Sequence, residues 1–351
     1  MTGRKKKSPL LKILGSVLAV IVTIGVFVAY FAYVAILKPN VHIDREYTHV
    51  YIPTGSTFHE VKAILINEGI IENEKTFEWL AEKKKYPNRV LPGRYRIYND
   101  MGNNELINLL RSGVQDPVRV TFNNIRIKEQ LTGVVSSYLE ADSLSILNLL
   151  RDEEIMQNYG MNRETAILLF IPDTYEFFWN TSAQQLLDRM HREYNSFWSR
   201  RRRQQAEKIG MTPVEVAIMA SIVRQETSKR DEMSRIAGVY VNRIKRNIPL
   251  QADPTVVFAV GDFTINRVLN RHLAIDSPYN TYKYPGLPPG PISLPEPFII
   301  DAVLNYEEHE YIFFCALDDF SGYHAFAKTY SEHIQNARRY QRALNERQIM
   351  R

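Results

Sequence analysis

From Ile13 to Leu37 the chain runs for 25 residues without Asp, Glu, Lys, Arg, His, Asn or Gln. A helix of about 20 apolar residues is enough to cross the hydrocarbon core of a bilayer. The run opens after Arg4, Lys5, Lys6, Lys7 and Lys12 and closes at Lys38-Pro39. Positive charge is retained on the cytoplasmic side, so residues 1–12 read as a cytoplasmic tail and 13–37 as a transmembrane helix. Everything after it is then extracytoplasmic, with Tyr30 and Tyr33 at interfacial depth. A cleaved signal peptide would have an apolar core of about 7–15 residues and a small-residue cleavage site. Tyr33-Val34-Ala35-Ile36-Leu37 offers no such site.

The remaining ~310 residues suit two or more domains with a sizeable core. The single cysteine, Cys315, excludes an internal disulfide framework, and Tyr311 to Leu317 reads as the buried strand that carries it. A net charge of +5, much of it in the tail, does not call for nucleic acid. The histidines show no H-x-x-x-H or H-E-x-x-H spacing, and there is no Gly-rich phosphate loop or G-x-S-x-G elbow. The expectation is therefore no metal and no cofactor.

Residues 38–47 read as a juxtamembrane linker, and 48–116 as a small α+β module. In that module a strand at His49–Ile52 runs into a turn at Pro53–Thr57. A helix follows from Phe58 to Glu68, with Ser56 or Thr57 as cap and Gly69 as stop. A second helix covers Glu74–Lys84, a turn and strand Pro92–Tyr98, and a third helix Asn103–Arg111. Residues 117–351 read as a larger mixed α/β domain. It opens with a strand at Arg119–Phe122 and helices near Ile127–Leu139 and Ser143–Asn158. A strand-to-turn segment at Phe170–Tyr175 leads to a long amphipathic helix over Ser182–Lys208. The run Arg200–Arg203 is either a solvated end complementing that helix's dipole or a contact for anionic lipid or wall polymer.

The next helix is the informative one. Thr212, Pro213 and Glu215 make a strong start, a capping box with proline in the first position. Ile218, Ile222 and Glu226 follow at i, i+4 and i+8, so Glu226 stands where the pattern asks for an apolar residue. A desolvated carboxyl keeps its proton towards neutrality, which is what a general acid needs. The alternative is that the stripe ends early and Glu226 is an ordinary exposed helix-end glutamate. A helix over Lys229–Lys245 follows. Gln251 and Asp253 then alternate, as if pointing to one side of an extended segment. Tyr279 to Ile292 is dense in Pro, Gly, Tyr and Asn, which suits sugar recognition or a stiff structural connection. Gly322–Phe326 reads as the hairpin partner of the Cys315 strand, with His324 and Phe326 on one face.

These residues carry a resemblance. Ala220-Ser221-Ile222-Val223-Arg224-Gln225-Glu226-Thr227, Leu250–Thr255, Asn280-Thr281-Tyr282, Gly286–Ile292 and His324-Ala325-Phe326 stand in the order and spacing of the endolytic murein transglycosylase (MltG, YceG-like) family. The 48–116 unit is similar to a LysM-like module, and 117–351 to the catalytic domain. The resemblance implies an α+β protein, single-pass in the bacterial cytoplasmic membrane. It would cleave the β-1,4 bond between N-acetylmuramic acid and N-acetylglucosamine in nascent peptidoglycan strands. The product end would be a 1,6-anhydro sugar, and strand elongation would stop there, beside peptidoglycan synthases. Glu226 would be the catalytic acid. Gln251, Asp253, Asn280, Thr281, Tyr282, Pro289 and His324 would bind substrate. Many members carry Glu-Lys-Glu in the motif helix; here Arg224 replaces the first, leaving Glu226 alone. Asn123-Asn124 departs from a Gly-containing turn. The rival readings are a non-catalytic peptidoglycan-binding scaffold, a hydrolytic muramidase with Asp253 as base, and a membrane sensor using the basic run.

Overall fold

The computed structural model describes residues 9–347. The basic residues Arg4 to Lys7, and with them most of the expected tail, lie outside the described residues. The chain forms two compact units. One comprises residues up to Val118 together with Glu176–Asn180, the other Arg119–Tyr175 and Thr181 onwards. The class is α+β, with sheets of only two strands each.

The first unit begins with α1 (Pro9–Ile36), whose stretch Lys12–Ile36 is long and apolar enough to cross a membrane. Tyr30 and Tyr33 are exposed on it. Next come β1 (Tyr47–Ile52), α2 (Phe58–Asn67), α3 (Glu74–Lys83), β2 (Gly93–Tyr98) and α4 (Asn103–Ser112). The strands pair antiparallel, from Tyr47 opposite Tyr98 to Ile52 opposite Gly93. Thr57 starts α2 with a capping box to Glu60, and α4 stops at Gly113, which takes φ +73°. Val50, Ile52, Val61, Leu65, Phe77, Tyr95, Ile97 and Leu106 are buried between the two-stranded sheet and the helices. Residues 38–47 are not the linker expected from sequence. Asn40 and Val41 are buried, and bridges join Pro39 to Gly102 and Val41 to Ile71. The reason is that Val41 completes the module's core and Asn40 its polar pairing, so the segment is part of the unit.

The second unit opens with β3 (Val118–Phe122), α5 (Lys128–Ser136), α6 (Ser143–Arg151), α7 (Glu153–Asn158) and β4 (Asp173–Phe177). Asn124 takes φ +50°, the left-handed region that a glycine would enter more easily. The single helix expected over 143–158 is two. Asp152 closes α6 with its N–H and caps α7 through a bond from the Ile155 N–H at 3.0 Å. Around 170–175 the order is reversed: a 3-10 turn at Ala166–Leu169 leads into the strand. The long helix expected over 182–208 is also broken, into α8 (Ala183–Phe197) and α9 (Arg200–Lys208). Trp198, fully buried, leaves helical backbone angles, and the Ser199 hydroxyl caps the new helix. Arg200–Arg203 therefore form a first turn, where the helix dipole opposes cations rather than complementing them. Compensation comes from Asp301, which takes two bonds from Arg202, and from the Trp198 carbonyl, which accepts from Arg203.

The core of this unit is α10 (Pro213–Glu226), started by the Thr212–Glu215 capping box. Every residue from Val216 to Val223 is buried, so α10 has no single apolar stripe: it runs through the interior. Around it stand α11 (Met233–Lys245), preceded by a 3-10 turn at Arg230–Glu232, then α12 (Asp253–Val260), α13 (Asn270–Leu273) and α14 (Pro297–Leu304). The hairpin of β5 (Phe313–Ala316) and β6 (His324–Ala327) forms as expected, with Cys315 half-buried in it. It is followed by α15 (Tyr330–Glu346).

Candidate active site

Glu226 is the last residue of α10; Thr227 turns extended and ends the helix. The carboxyl projects from the end of a buried helix into the cavities that adjoin it, so its position comes from where α10 ends. The Tyr240 hydroxyl, one helix later on α11, donates to Glu226 Oε1 at 2.6 Å. Tyr240 is itself fully buried, its ring edge-on to Phe314. Burial pushes the Glu226 pKa up to about 7, against the opposing pull of the Tyr240 bond and with help from the nearby Asp253 charge. Solvent still reaches part of the residue through the cavity, while protein atoms surround the carboxylate closely. Burial also lifts the Tyr240 hydroxyl far above its ordinary range, with the Glu226 charge adding to it, so it remains a donor.

Two cavities meet at Glu226 and Asp253. The first, about 300 Å³, is lined also by Tyr240, Arg243, Gln251, Tyr282, Phe313, Phe314, Tyr330 and His333. The second, about 340 Å³, is lined by Arg126, Gln225, Phe258 and Phe263 among others. Arg126 donates to Gln225 at 2.9 Å and lies over the Phe263 ring. Arg126 and Phe258 continue into a third cavity, about 480 Å³, with the Tyr279 ring tilted against Phe258 and Lys128, Arg151 and Arg163 also in its lining. The three share residues in series and make one elongated groove, with Glu226 inside its length.

The sequence-predicted residues fall into three groups. Glu226, Gln251, Asp253 and Tyr282 do come together on the first cavity. Gln251 and Asp253 arrive there differently from the extended alternation expected. Gln251 takes φ +53°, its N–H bonded to the Thr281 carbonyl, and Asp253 opens α12. The Tyr282 hydroxyl holds Asp253 Oδ1 at 2.5 Å. Asn280 and Thr281 lie beneath, both buried. Asn280 binds the Leu273 and Ile275 carbonyls and the Tyr282 N–H. The Thr281 hydroxyl accepts from the Ala252 N–H and pairs with Thr255. Their side chains set the loop rather than facing the groove. Pro289 is exposed and lines none of the three cavities. His324 also lies off the groove, because buried Glu232 takes both its donors, the backbone N–H at 2.9 Å and Nδ1 at 3.0 Å.

Sequence reasoning missed Tyr240, Arg243 and His333. Tyr240 had a signal, since it is a hydroxyl-bearing residue on the apolar face of the 229–245 helix. Arg243 is buried and donates to the carbonyls of Ile312, Pro249 and Leu250 and to Gln251. His333, on α15, stacks on Phe313, and its buried Nδ1 has no hydrogen-bond partner among the described residues. The Pro-rich loop is both structural and groove-lining. The Ser221 hydroxyl of α10 accepts the Ile292 N–H at 3.0 Å, while Tyr279, Tyr282 and Ile292 face the three cavities. Arg224 turns away to Glu296, so Glu226 is the carboxylate of its helix that reaches the groove. Among the described residues no group of three or more His, Cys, Asp or Glu could hold a metal ion.

The chain matches the YceG-like family over residues 50–339 and belongs to that family. It is 28% identical over 330 residues to the endolytic murein transglycosylase of Bacillus subtilis strain 168, covering 89% of this chain and 90% of that protein. The endolytic murein transglycosylase of Streptococcus pneumoniae serotype 2 strain D39 is 26% identical over 347 residues; 88% of this chain matches, but only 61% of the longer relative. A crystal structure of a YceG-like protein from Listeria monocytogenes superposes with a TM-score of 0.56 at 26% identity. It covers 83% of this chain and 98% of that one.

Proposed function

We propose that this chain is an endolytic lytic transglycosylase of peptidoglycan with Glu226 as its acid and base in turn. The carrying observation is one carboxyl, shared by two adjoining cavities, whose pKa of about 7 lets it hold and release a proton near neutrality. Glu226 protonates the glycosidic oxygen as the bond between N-acetylmuramic acid and N-acetylglucosamine breaks. The muramic acid C6 hydroxyl then attacks C1, and ionised Glu226 takes its proton. The nucleophile is already tethered, so proximity replaces a bound water. An elongated groove that continues on both sides of Glu226 favours internal cleavage over trimming of an end. Gln251, Asp253 and Tyr282 grip the sugars; Asn280 and Thr281 hold the loops that present them. We further infer that α1 anchors the chain in the cytoplasmic membrane with its N-terminus inside. The LysM-like first unit and the catalytic second unit would then meet strands leaving peptidoglycan synthases and end their elongation.

A hydrolytic reading has one observation behind it: Asp253 lines the same two cavities as Glu226 and could serve as a base. Product mass separates the two. The detergent-solubilised chain and its Glu226→Gln variant are incubated with uncrosslinked glycan strands, and fragment ends are weighed. Internal fragments one water lighter than reducing ends, made only by the unaltered chain, support transglycosylation. Hydrated ends would make it a muramidase. Strand binding without any cleavage would make it a scaffold.

A further inference from the structure

The 25 residues of Lys12–Ile36 make a helix about 37 Å long, against roughly 30 Å of hydrocarbon. Some five residues are therefore surplus, and the structure gives the last ones a use. The Phe31 ring packs edge-on against Trp79 of α3, with centroids 5.2 Å apart. Ala35 is fully buried, and its carbonyl, otherwise an orphan at a helix end, accepts from Asn103 Nδ2 at 3.1 Å. Asn103 also binds Thr76, and its amide oxygen accepts from Asn40 at 2.7 Å; Asn40 in turn accepts the Asn73 N–H. Gly102 lets the chain come this close, since a Cβ there would stand 3.1 Å from the Leu37 carbonyl oxygen. A buried, fully paired network of this kind fixes geometry, because losing one member leaves the others desolvated without a partner.

If α1 spans the bilayer, as read above, the helix surface that meets Phe31 sits at the bilayer boundary. On α3, Lys75 and Lys83 are spaced i−4 and i+4 from Trp79, so all three share one face. Both lysines are exposed and have no ion-pair partner among the described residues. Glu82 is exposed on the same side, and Glu78 is neutralised by Lys62 at 3.0 Å. Tryptophan with flanking lysines is the composition that settles at a membrane interface. We propose that the Lys75–Trp79–Lys83 face of α3 lies in the anionic headgroup layer and holds the first unit at a fixed tilt on the membrane.

The test uses the full-length chain in vesicles of mixed anionic and zwitterionic lipid, with Cys315→Ser as background. Single cysteines replace Lys75, Lys83, Tyr30 and Ser56 in turn and carry an environment-sensitive fluorophore. Ser56 lies in the turn beyond Ile52, at the end of β1 away from the docked segment. Spin-labelled lipid should quench the labels at 30, 75 and 83 and leave the label at 56 bright. Insertion of a flexible Gly-Ser stretch between Leu37 and Lys38 should relieve quenching at 75 and 83 while leaving it at 30. A label at 30 that is quenched while 75 and 83 stay bright overturns the proposal and leaves the anchor standing. A bright label at 30 overturns the anchor itself, and the proposal with it.

Discussion

Tyr240→Phe removes one hydroxyl and leaves the ring against Phe314. That hydroxyl donates to Glu226 Oε1 at 2.6 Å, so it favours the ionised carboxylate. A hydrogen bond to a charged group is worth about 1.5–3 kcal/mol, and one pKa unit corresponds to about 1.4 kcal/mol. The Glu226 pKa, about 7 in the unaltered chain, should therefore rise by roughly 1–2 units. The protonated acid starts the reaction, so activity falls as pH climbs through this pKa. The alkaline limb of kcat/KM should move to higher pH in the variant by that same ~1–2 units, with activity retained below it. The assay follows anhydro-ended fragments from uncrosslinked strands across a pH series by mass spectrometry. An alkaline limb that stays put, or moves towards acid, would show that Tyr240 does not tune the proton on which the chemistry depends.

Three further outcomes can be measured. Glu226→Gln should abolish cleavage yet stabilise the fold in alkali. The folded pKa of about 7 exceeds the ordinary 4.5, so the stability contributed by the protonated acid is full below 4.5 and lost as pH rises through 7. In urea titrations the two proteins should match at low pH, and above neutrality the variant should gain up to ~3 kcal/mol; curves that stay together above neutrality would contradict the burial argument. Ser221→Ala deprives the buried Ile292 N–H of its acceptor and should cost about 1–3 kcal/mol in the same titration. His333→Ala should raise KM for glycan about 2- to 10-fold with kcat little changed, because its ring, stacked on Phe313, forms part of the wall of the first cavity. An unchanged KM would confine His333 to stacking on Phe313.

Local chemistry made much of the fold legible. Caps and stops decide helix ends within a few residues, which is why Thr57 and Thr212 read correctly. Asp152 and Ser199 were equally visible, but apolar periodicity carries on through both, and only tertiary packing of Trp198 decides that the helix breaks there. The 38–47 segment looked like a tether because Val41 and Ile43 are scattered among polar and charged residues. The burial of Val41 depends on Ile71 and Met101, thirty and sixty residues away. At the site, Glu226 stood out as a carboxylate in an apolar pattern. The roles of Asn280 and His324 could not be read in advance, since both are set by contacts with groups remote in sequence or hidden in a loop. Tyr240 and Arg243 were hidden for the opposite reason: one resembles core, the other surface.

Arg243 has a consequence for how the groove meets changing surroundings. Burial lowers the pKa of its guanidinium, but such a group still keeps its charge throughout the range in which a carboxyl titrates. Three backbone carbonyls and Gln251 hold it in place beside the first cavity. The wall of the first cavity thus carries one fixed positive charge that does not titrate alongside Glu226. When the surrounding pH changes, that positive charge stays in place while the proton on Glu226 comes and goes. Acidity then acts at this carboxyl as a dial on the occupancy of one proton.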